Sequence, residues 1–298
     1  MNKGFVTIAT GKESYYRIAY NLLLSYRLFS DNPLPFAIIC DKENQYTRFF
    51  DQVILLKNPK CSYIDKLCFP EYTPFDETIF LDADCMAYRD LNDFWVYFSE
   101  GSFFSSFGLN QPLDYKHGWF KPQDIGEFGE RIKSIPEFIG GIYYVRKDLE
   151  LINFMNTVHY IHSHYYDYKF RQFTDPADET IFALAMAVHD QTTVGPISPD
   201  ICFYPAKSYF EANIQTQSLI YGHTFQPTKG LISNGYMVHW GSSFINQPYY
   251  KIEEYRLHKL AKGKTISKYL DSLVFDYYKL AYFVERGKRK IKKIINNK

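Results

Sequence analysis

The sequence has 298 residues, 46% apolar and 22% charged, the balance of a folded protein with a sizeable core. A net charge of +1 gives no sign of nucleic-acid binding, and no apolar run reaches the length of a membrane span. The five cysteines (Cys40, Cys61, Cys68, Cys85, Cys202) form no CxxC pair and no metal-ligand spacing, so they read as reduced, mostly buried thiols. The N-terminus runs directly into strand-like sequence with no signal-peptide core, which predicts a location on the cytoplasmic side. Aromatic residues make up 19%, chiefly 27 Tyr and 26 Phe. Tyrosine suits stacking on sugars, bases and membrane interfaces, and an AT-rich genome gives the same excess.

In chain order, Phe5 to Ala9 is a short β-branched run ending at Thr10-Gly11. From Ser14 to Phe29, apolar positions (Tyr15, Ile18, Ala19, Leu22, Leu23, Tyr26) recur at helical spacing. Three further apolar runs follow: Phe36 to Cys40, stopped by Asp41; Val53 to Leu56; and Thr78 to Leu81. Strands alternating with helices predict a mostly parallel sheet that binds its ligand at the carboxyl ends of the strands. Gly108 to Ser134 reads as loops over the sheet edge, Phe138 to Val145 as a strand containing a glycine pair, and Leu149 to His162 as a helix. A helix opens at Asp175-Pro176 and runs to about Val188, and a last strand ends at His239-Trp240-Gly241. With no internal repeat or low-complexity linker, the economical division is one domain over 1–262 and a helical, basic tail over 263–298.

Asp82 and Asp84 follow the apolar run directly. Carboxylates at the end of a buried strand are costly unless a cation neutralises them. Mg2+ or Mn2+, sharing its shell with substrate phosphates, is the natural candidate. A solvated turn or helix cap is the competing reading, since Asp favours both.

Thr78-Ile79-Phe80-Leu81-Asp82-Ala83-Asp84-Cys85-Met86, followed by Asp90-Leu91, resembles the acidic segment of GT-A glycosyltransferases, above all glycosyltransferase family 8. The resemblance spans residues 4 to 241. It implies an α/β, Rossmann-like fold with a mostly parallel central sheet, flanking helices and a C-terminal helical tail. It also implies a UDP-sugar donor and a divalent metal held by Asp82, Asp84 and His239. On the same resemblance, Ala9, Thr10 and Gly11 with Tyr15 or Tyr16 hold the uridine. Lys66, in Asp65-Lys66-Leu67, faces the nucleotide sugar, or else is a surface lysine. Ala83, the pair Gly140-Gly141, and Gly241 complete the donor site. Asp178 and Glu179 resemble the family's Asp-Gln pair and are the catalytic candidates, although Asp175-Pro176-Ala177-Asp178 also reads as a helix cap.

Three positions depart from the family. Ile139 stands where it has Asn, Glu179 where it has Gln, and no lysine follows His239-Trp240-Gly241 before Lys251. Lys251, Lys66 or a backbone amide would have to take over the diphosphate contact. The implied reaction moves a hexose from UDP to a hydroxyl with retention, while a carboxylate at Glu179 also fits a nucleophile or the base of an inverting reaction. Two other functions fit parts of the sequence. One is a haloacid-dehalogenase-type phosphatase with Asp82 as nucleophile, although that fold places such a strand near the chain start. The other is a catalytically silent sugar-binding module. In the tail, the aromatic stretch Tyr269 to Val284 beside Arg286, Lys288, Arg289, Lys290, Lys292 and Lys293 describes an interfacial helix on anionic lipid, which suits a lipid-linked saccharide acceptor. A docking helix with a soluble basic end is the alternative.

Overall fold

The apolar runs of the first eighty residues become neighbouring strands in a computed structural model of the chain. It describes residues 2–98, 102–138, 140–171, 173–195, 202–203, 209–222, 232–233 and 235–296. The strands are β1 (Lys3–Ala9), β2 (Phe36–Cys40), β3 (Gln52–Leu55), β4 (Glu77–Leu81), β5 (Cys85–Ala87), β6 (Phe104–Ser105), β7 (Gly108–Gln111), β8 (Ile135–Phe138), β9 (Ile142–Arg146), β10 (Cys202–Phe203), β11 (Tyr209–Asn213), β12 (Ser218–Gly222), β13 (Ile232–Ser233) and β14 (Met237–His239). The helices are α1 (Glu13–Phe29), α2 (Phe69–Tyr72), α3 (Leu151–Ser163), α4 (Asp178–Val188), α5 (Gly241–Phe244), α6 (Pro248–Leu260) and α7 (Lys268–Asn296). The chain divides into two compact units. The first comprises Met1–Leu23, Asn32–Ala83 and Leu91–Ser198; the second comprises Leu24–Asp31, Asp84–Asp90 and Pro199–Lys298.

The first unit is built on a six-stranded sheet in the order β3-β2-β1-β4-β9-β6. The four strands β3, β2, β1 and β4 run parallel, and β9 and β6 add antiparallel pairs at the far side. β2 is buried along its whole length, as a parallel strand covered on both faces must be. The chain moves outward from β1 to β2 and β3, then returns to the other flank of β1 as β4. Strand order therefore reverses between β1 and β4, and open α/β sheets bind their ligands at the carboxyl ends beside such a reversal. Those ends are Thr10-Gly11 and Asp82.

Aromatic packing holds this arrangement. Phe69 stacks on Phe80 of β4 with ring centroids 4.7 Å apart and lies 6.0 Å from Phe182 of α4. Phe104 lies 4.8 Å from Phe182, and Tyr143 of β9 lies 5.0 Å from it. α4 is buried on all sides from Thr180 to Ala187, so it reads as apolar rather than amphipathic.

The structure differs from the sequence expectation in three places within this unit. Residues 108–111 are not loop; they form β7, paired antiparallel with β8. The expected strand over 138–145 is broken at its glycine pair: β8 ends at Phe138, residues 140–141 turn, and β9 begins at Ile142. The helix expected from Asp175-Pro176 begins instead at Asp178. Its N-cap is Ala177, in extended conformation and without a side-chain cap, so the acid is the first helical residue rather than part of a capping box.

In the second unit β14 pairs in parallel with β10 and antiparallel with β5, placing His239 opposite Cys85. β11, β12 and β13 form a separate antiparallel sheet. A buried polar network ties these to the helices. Glu253 of α6 accepts hydrogen bonds from the Tyr88 hydroxyl at 2.8 Å and the Ile214 amide at 2.7 Å, and pairs with Arg256. Arg256 also donates to Asp271 of α7 at 2.7 Å. Among the described residues no helix is long and apolar enough to cross a membrane.

The aromatic cluster generates a stability test. Phe80→Ala leaves a cavity beneath β4 and is expected to cost about 3–5 kcal/mol in denaturant unfolding. Val96→Ala, at a side chain 75% exposed, is expected to stay within about 0.5 kcal/mol of the parent. Equal losses at both positions would contradict this picture of the core.

Candidate active site

Where β1 ends, Gly11 takes a left-handed φ of +77° that a side chain would strain. Its N–H donates to the Asp41 carboxylate at 2.8 Å, and the Tyr16 hydroxyl donates to the same oxygen. Burial pushes Asp41 upward, but these two hydrogen bonds outweigh it and hold the carboxyl below its usual range. The Thr10 hydroxyl donates to Asp65 at 2.9 Å. Asp65 in turn closes a capping box with Ser62 at the start of the turn Tyr63–Cys68. The same carboxylate thus fixes the β1 end and orients the next residue, Lys66. Tyr16 is fully buried beside Asp41, whereas Tyr15 and Gly11 are half-buried.

Lys66 is no surface lysine. Its side chain is 12% exposed, and its ammonium lies 2.9 Å from Asp178 and 3.2 Å from Asp82. Burial alone would push the Lys66 pKa down; the Asp178 and Asp82 carboxylates overcome this and raise it well above the usual lysine value. Asp178 accepts a second hydrogen bond, from the Tyr143 hydroxyl, at 2.7 Å. Burial, reinforced by that carboxylate, pushes the Tyr143 hydroxyl pKa up. The Asp82 N–H donates to the Gly141 carbonyl at 2.9 Å, so the acidic turn and the glycine pair are joined where β4 meets β9.

Glu179, next to Asp178, has its pKa pushed up to about 7 by burial and then by the neighbouring Asp178 charge, with Lys66 opposing. Its carboxyl fits because residue 140 is glycine. A Cβ there would stand 2.6 Å from the Glu179 carboxyl carbon and 2.5 Å from its Cγ. Ile139 lies outside the described residues, so the family position normally held by Asn has no structural account.

In the second unit the Asp84 carboxylate lies 3.1 Å from His239 Nε2. One ligand atom each from Asp84, Cys85 and His239 falls within 4.8 Å of the others. Carboxylate oxygen and imidazole nitrogen at this separation are a donor pair that fits a divalent cation. Cys85 is the donor that sequence reasoning set aside. Its signal was its place beside Asp84 on a strand facing His239, which only the register reveals. The Trp240 N–H donates to the Asp84 carbonyl at 3.0 Å, and Gly241 follows at φ +66°. Ala83 is half-buried and Gly241 buried. Asp41 was likewise missed: in the sequence it is only the polar residue that stops a strand.

No family model matches the chain, and no curated protein matches it in sequence. Solved structures do. The galactosyltransferase LgtC, in complex with donor and acceptor sugar analogs, superposes over 89% of this chain and 97% of its own, with a TM-score of 0.52 at 12% identity. An active-site Gln→Glu mutant of LgtC covers 89% and 98%, with a TM-score of 0.53 at 13% identity. The fold is that of the GT-A glycosyltransferases. A third GT-A relative in shape is the apo glycosyltransferase GlyE of Streptococcus pneumoniae TIGR4, with a TM-score of 0.50 at 12% identity over 93% of this chain and 60% of that one. In this GT-A sheet, Thr10-Gly11 and Asp82 occupy the carboxyl ends on either side of the strand-order reversal.

The raised Glu179 carboxyl generates a pH prediction for the metal-free protein. In the unfolded chain it ionises near 4.5, and in the folded chain it holds its proton to about 7. Between those values the native state binds more protons, so stability falls as pH rises. The expected loss across the window is on the order of 1–3 kcal/mol. Glu179→Gln should flatten that slope in denaturant titrations at stepped pH; an unchanged slope would assign the titration to another group.

Proposed function

We propose that the chain is a metal-dependent glycosyltransferase that moves a hexose from a UDP-sugar to a hydroxyl of a saccharide or glycolipid, with retention of configuration. The observation that carries this reading is the acidic turn: Asp82 at the carboxyl end of β4 in a GT-A sheet, with Asp84 drawn to His239 at 3.1 Å. The proposed cation, Mn2+ or Mg2+, takes Asp84 and His239, with Asp82 as the further ligand. When bound, it supplies positive charge to the departing diphosphate. Lys66 holds Asp82 and Asp178 in fixed positions, so that neither carboxylate has to reorganise as charge develops. Ala9, Thr10, Gly11 and Tyr15 form the proposed nucleotide edge, stiffened by Tyr16 through Asp41. Gly140 and Gly141 give the donor sugar room beside Glu179. Lys66 and Lys251 are both ion-paired, the latter to Glu254 at 3.1 Å, which favours a backbone amide near Gly241 as the partner of the diphosphate.

The phosphatase reading is weaker. It needs Asp82 as a nucleophile on an early strand, whereas here it follows the fourth strand of the main sheet and is paired with Lys66.

Incubation with Mn2+ and a panel of UDP-sugars, scored by UDP release, tests the proposal. Turnover is expected with at least one donor, and Asp84→Asn or His239→Ala is expected to reduce it about 100-fold or more. The product anomer, read by proton NMR, reports retention. Phosphatase activity abolished by Asp82→Asn, with no turnover of any UDP-sugar, would overturn the reading.

The tail supports a second element of the proposal: the enzyme works at the cytoplasmic face of an anionic membrane. Along α7, Leu270, Leu273, Tyr277, Leu280 and Val284 are exposed by 44–66% at intervals of three and four residues. Arg286, Lys288, Arg289 and Lys290 follow. An apolar stripe leading into a basic cluster fits a lipid surface. The chain is expected to float with phosphatidylglycerol vesicles and not with phosphatidylcholine vesicles, and deletion of 286–298 is expected to abolish flotation. Undiminished flotation of the truncated chain would remove this element.

A further inference from the structure

The second unit contains a cavity of about 350 Å3, within the size range of small-molecule sites. Part of the lining is aromatic: Tyr249 and Phe275 have ring centroids 5.3 Å apart, and Trp240 lines the same space. Asn213, Thr216 and Ser218 add uncharged hydroxyl and amide groups, the Asn213 Oδ1 already accepting from the Gln215 N–H at 3.0 Å. Arg256 and Glu253 are also in the wall, but their charges are matched within the protein. Arg256 is paired with both Glu253 and Asp271, and it donates to the Ala212 carbonyl at 2.9 Å. Glu253 additionally accepts from Tyr88 and the Ile214 amide. Glu211 adds a negative charge at an exposed position of the lining.

These features select a ligand class. A phosphate or carboxylate meets an arginine already neutralised by Glu253 and Asp271. An aliphatic ligand makes no use of the hydroxyl and amide groups. A molecule with an apolar ring face and several neutral hydroxyls uses both kinds of lining group: aromatic rings pack on its face, while amide and hydroxyl groups pair with its hydroxyls. We infer that this cavity is a binding site for a neutral saccharide.

Its position in the chain gives the site a role. Trp240 lines the cavity, its N–H donates to the Asp84 carbonyl, and the preceding residue is His239. A saccharide seated here is one residue along the chain from a candidate metal ligand. It is therefore an anchoring subsite for the acceptor; the word acceptor rests on the transferase reading, whereas saccharide binding does not.

The test applies the full chain, without nucleotide or added metal, to a printed array of neutral and acidic glycans, with uridine as a soluble competitor. Neutral glycans should bind and uridine should not displace them. Tyr249→Ala, at a side chain 47% exposed and so tolerant of truncation, should weaken the best glycan about tenfold, the cost of losing one aromatic anchor. Tyr249→Phe keeps the ring and should bind within about twofold of the parent, under 0.5 kcal/mol. In turnover assays Tyr249→Ala should raise the acceptor KM and leave hydrolysis of the UDP-sugar by water unchanged. Glycan binding by a chain with no transferase activity would uphold the cavity and sink the transferase reading. An active transferase whose glycan binding and acceptor KM ignore Tyr249→Ala, or an array on which the parent binds nothing, would overturn the cavity assignment.

Discussion

The buried ammonium of Lys66, shared between Asp82 and Asp178, is the constraint on which the first unit depends. The two carboxylates arrive from different places in the sequence: one closes β4, the other opens α4. Each would be costly in the interior without a counter-charge, and a single lysine serves both. That pairing fixes the start of α4 against the end of β4, and the hydrogen bond from Tyr143 brings β9 into the same arrangement. Everything proposed for the donor sugar lies around this junction.

Lys66 also changes the charge balance of the acidic turn. Uncompensated carboxylates at a strand end called for a metal; Asp82, at least, already has a cation in Lys66. The pull toward a divalent ion rests more on Asp84 and His239, whose mutual approach is a property of the β5–β14 register. Within the first unit, Glu179, still rich in proton affinity, marks where the balance around Lys66 is incomplete.

Much of the fold was legible because parallel strands buried on both faces leave continuous apolar runs, and Phe36 to Cys40 or Ile79 to Leu81 have no other good reading. The short edge pairs were not, since β7 contains Asn110 and Gln111 and gains its strand character from β8 rather than from its own residues. The start of α4 was misread for a similar reason. Asp175-Pro176 satisfies the local rules for a helix opening, but tertiary pairing with Lys66 delays the first turn to Asp178. Among the candidate site residues, Asp82 and Asp84 were visible as carboxylates directly after an apolar run, whereas Lys66 and Asp178 stood out only through the family resemblance. Asp41 and Cys85 were invisible, because their importance is conferred by partners distant in sequence: Gly11 and Tyr16 in one case, His239 in the other.

The closeness of position 140 to Glu179 has an evolutionary corollary. A methyl group at 140 and the present Glu179 conformation would occupy the same volume. The two positions are therefore sterically coupled, with glycine at 140 leaving the room that the Glu179 carboxyl occupies. Any side chain at position 140 requires the side chain at 179 to be shortened or turned away, a constraint of shape that is independent of whatever selection acts on the chemistry.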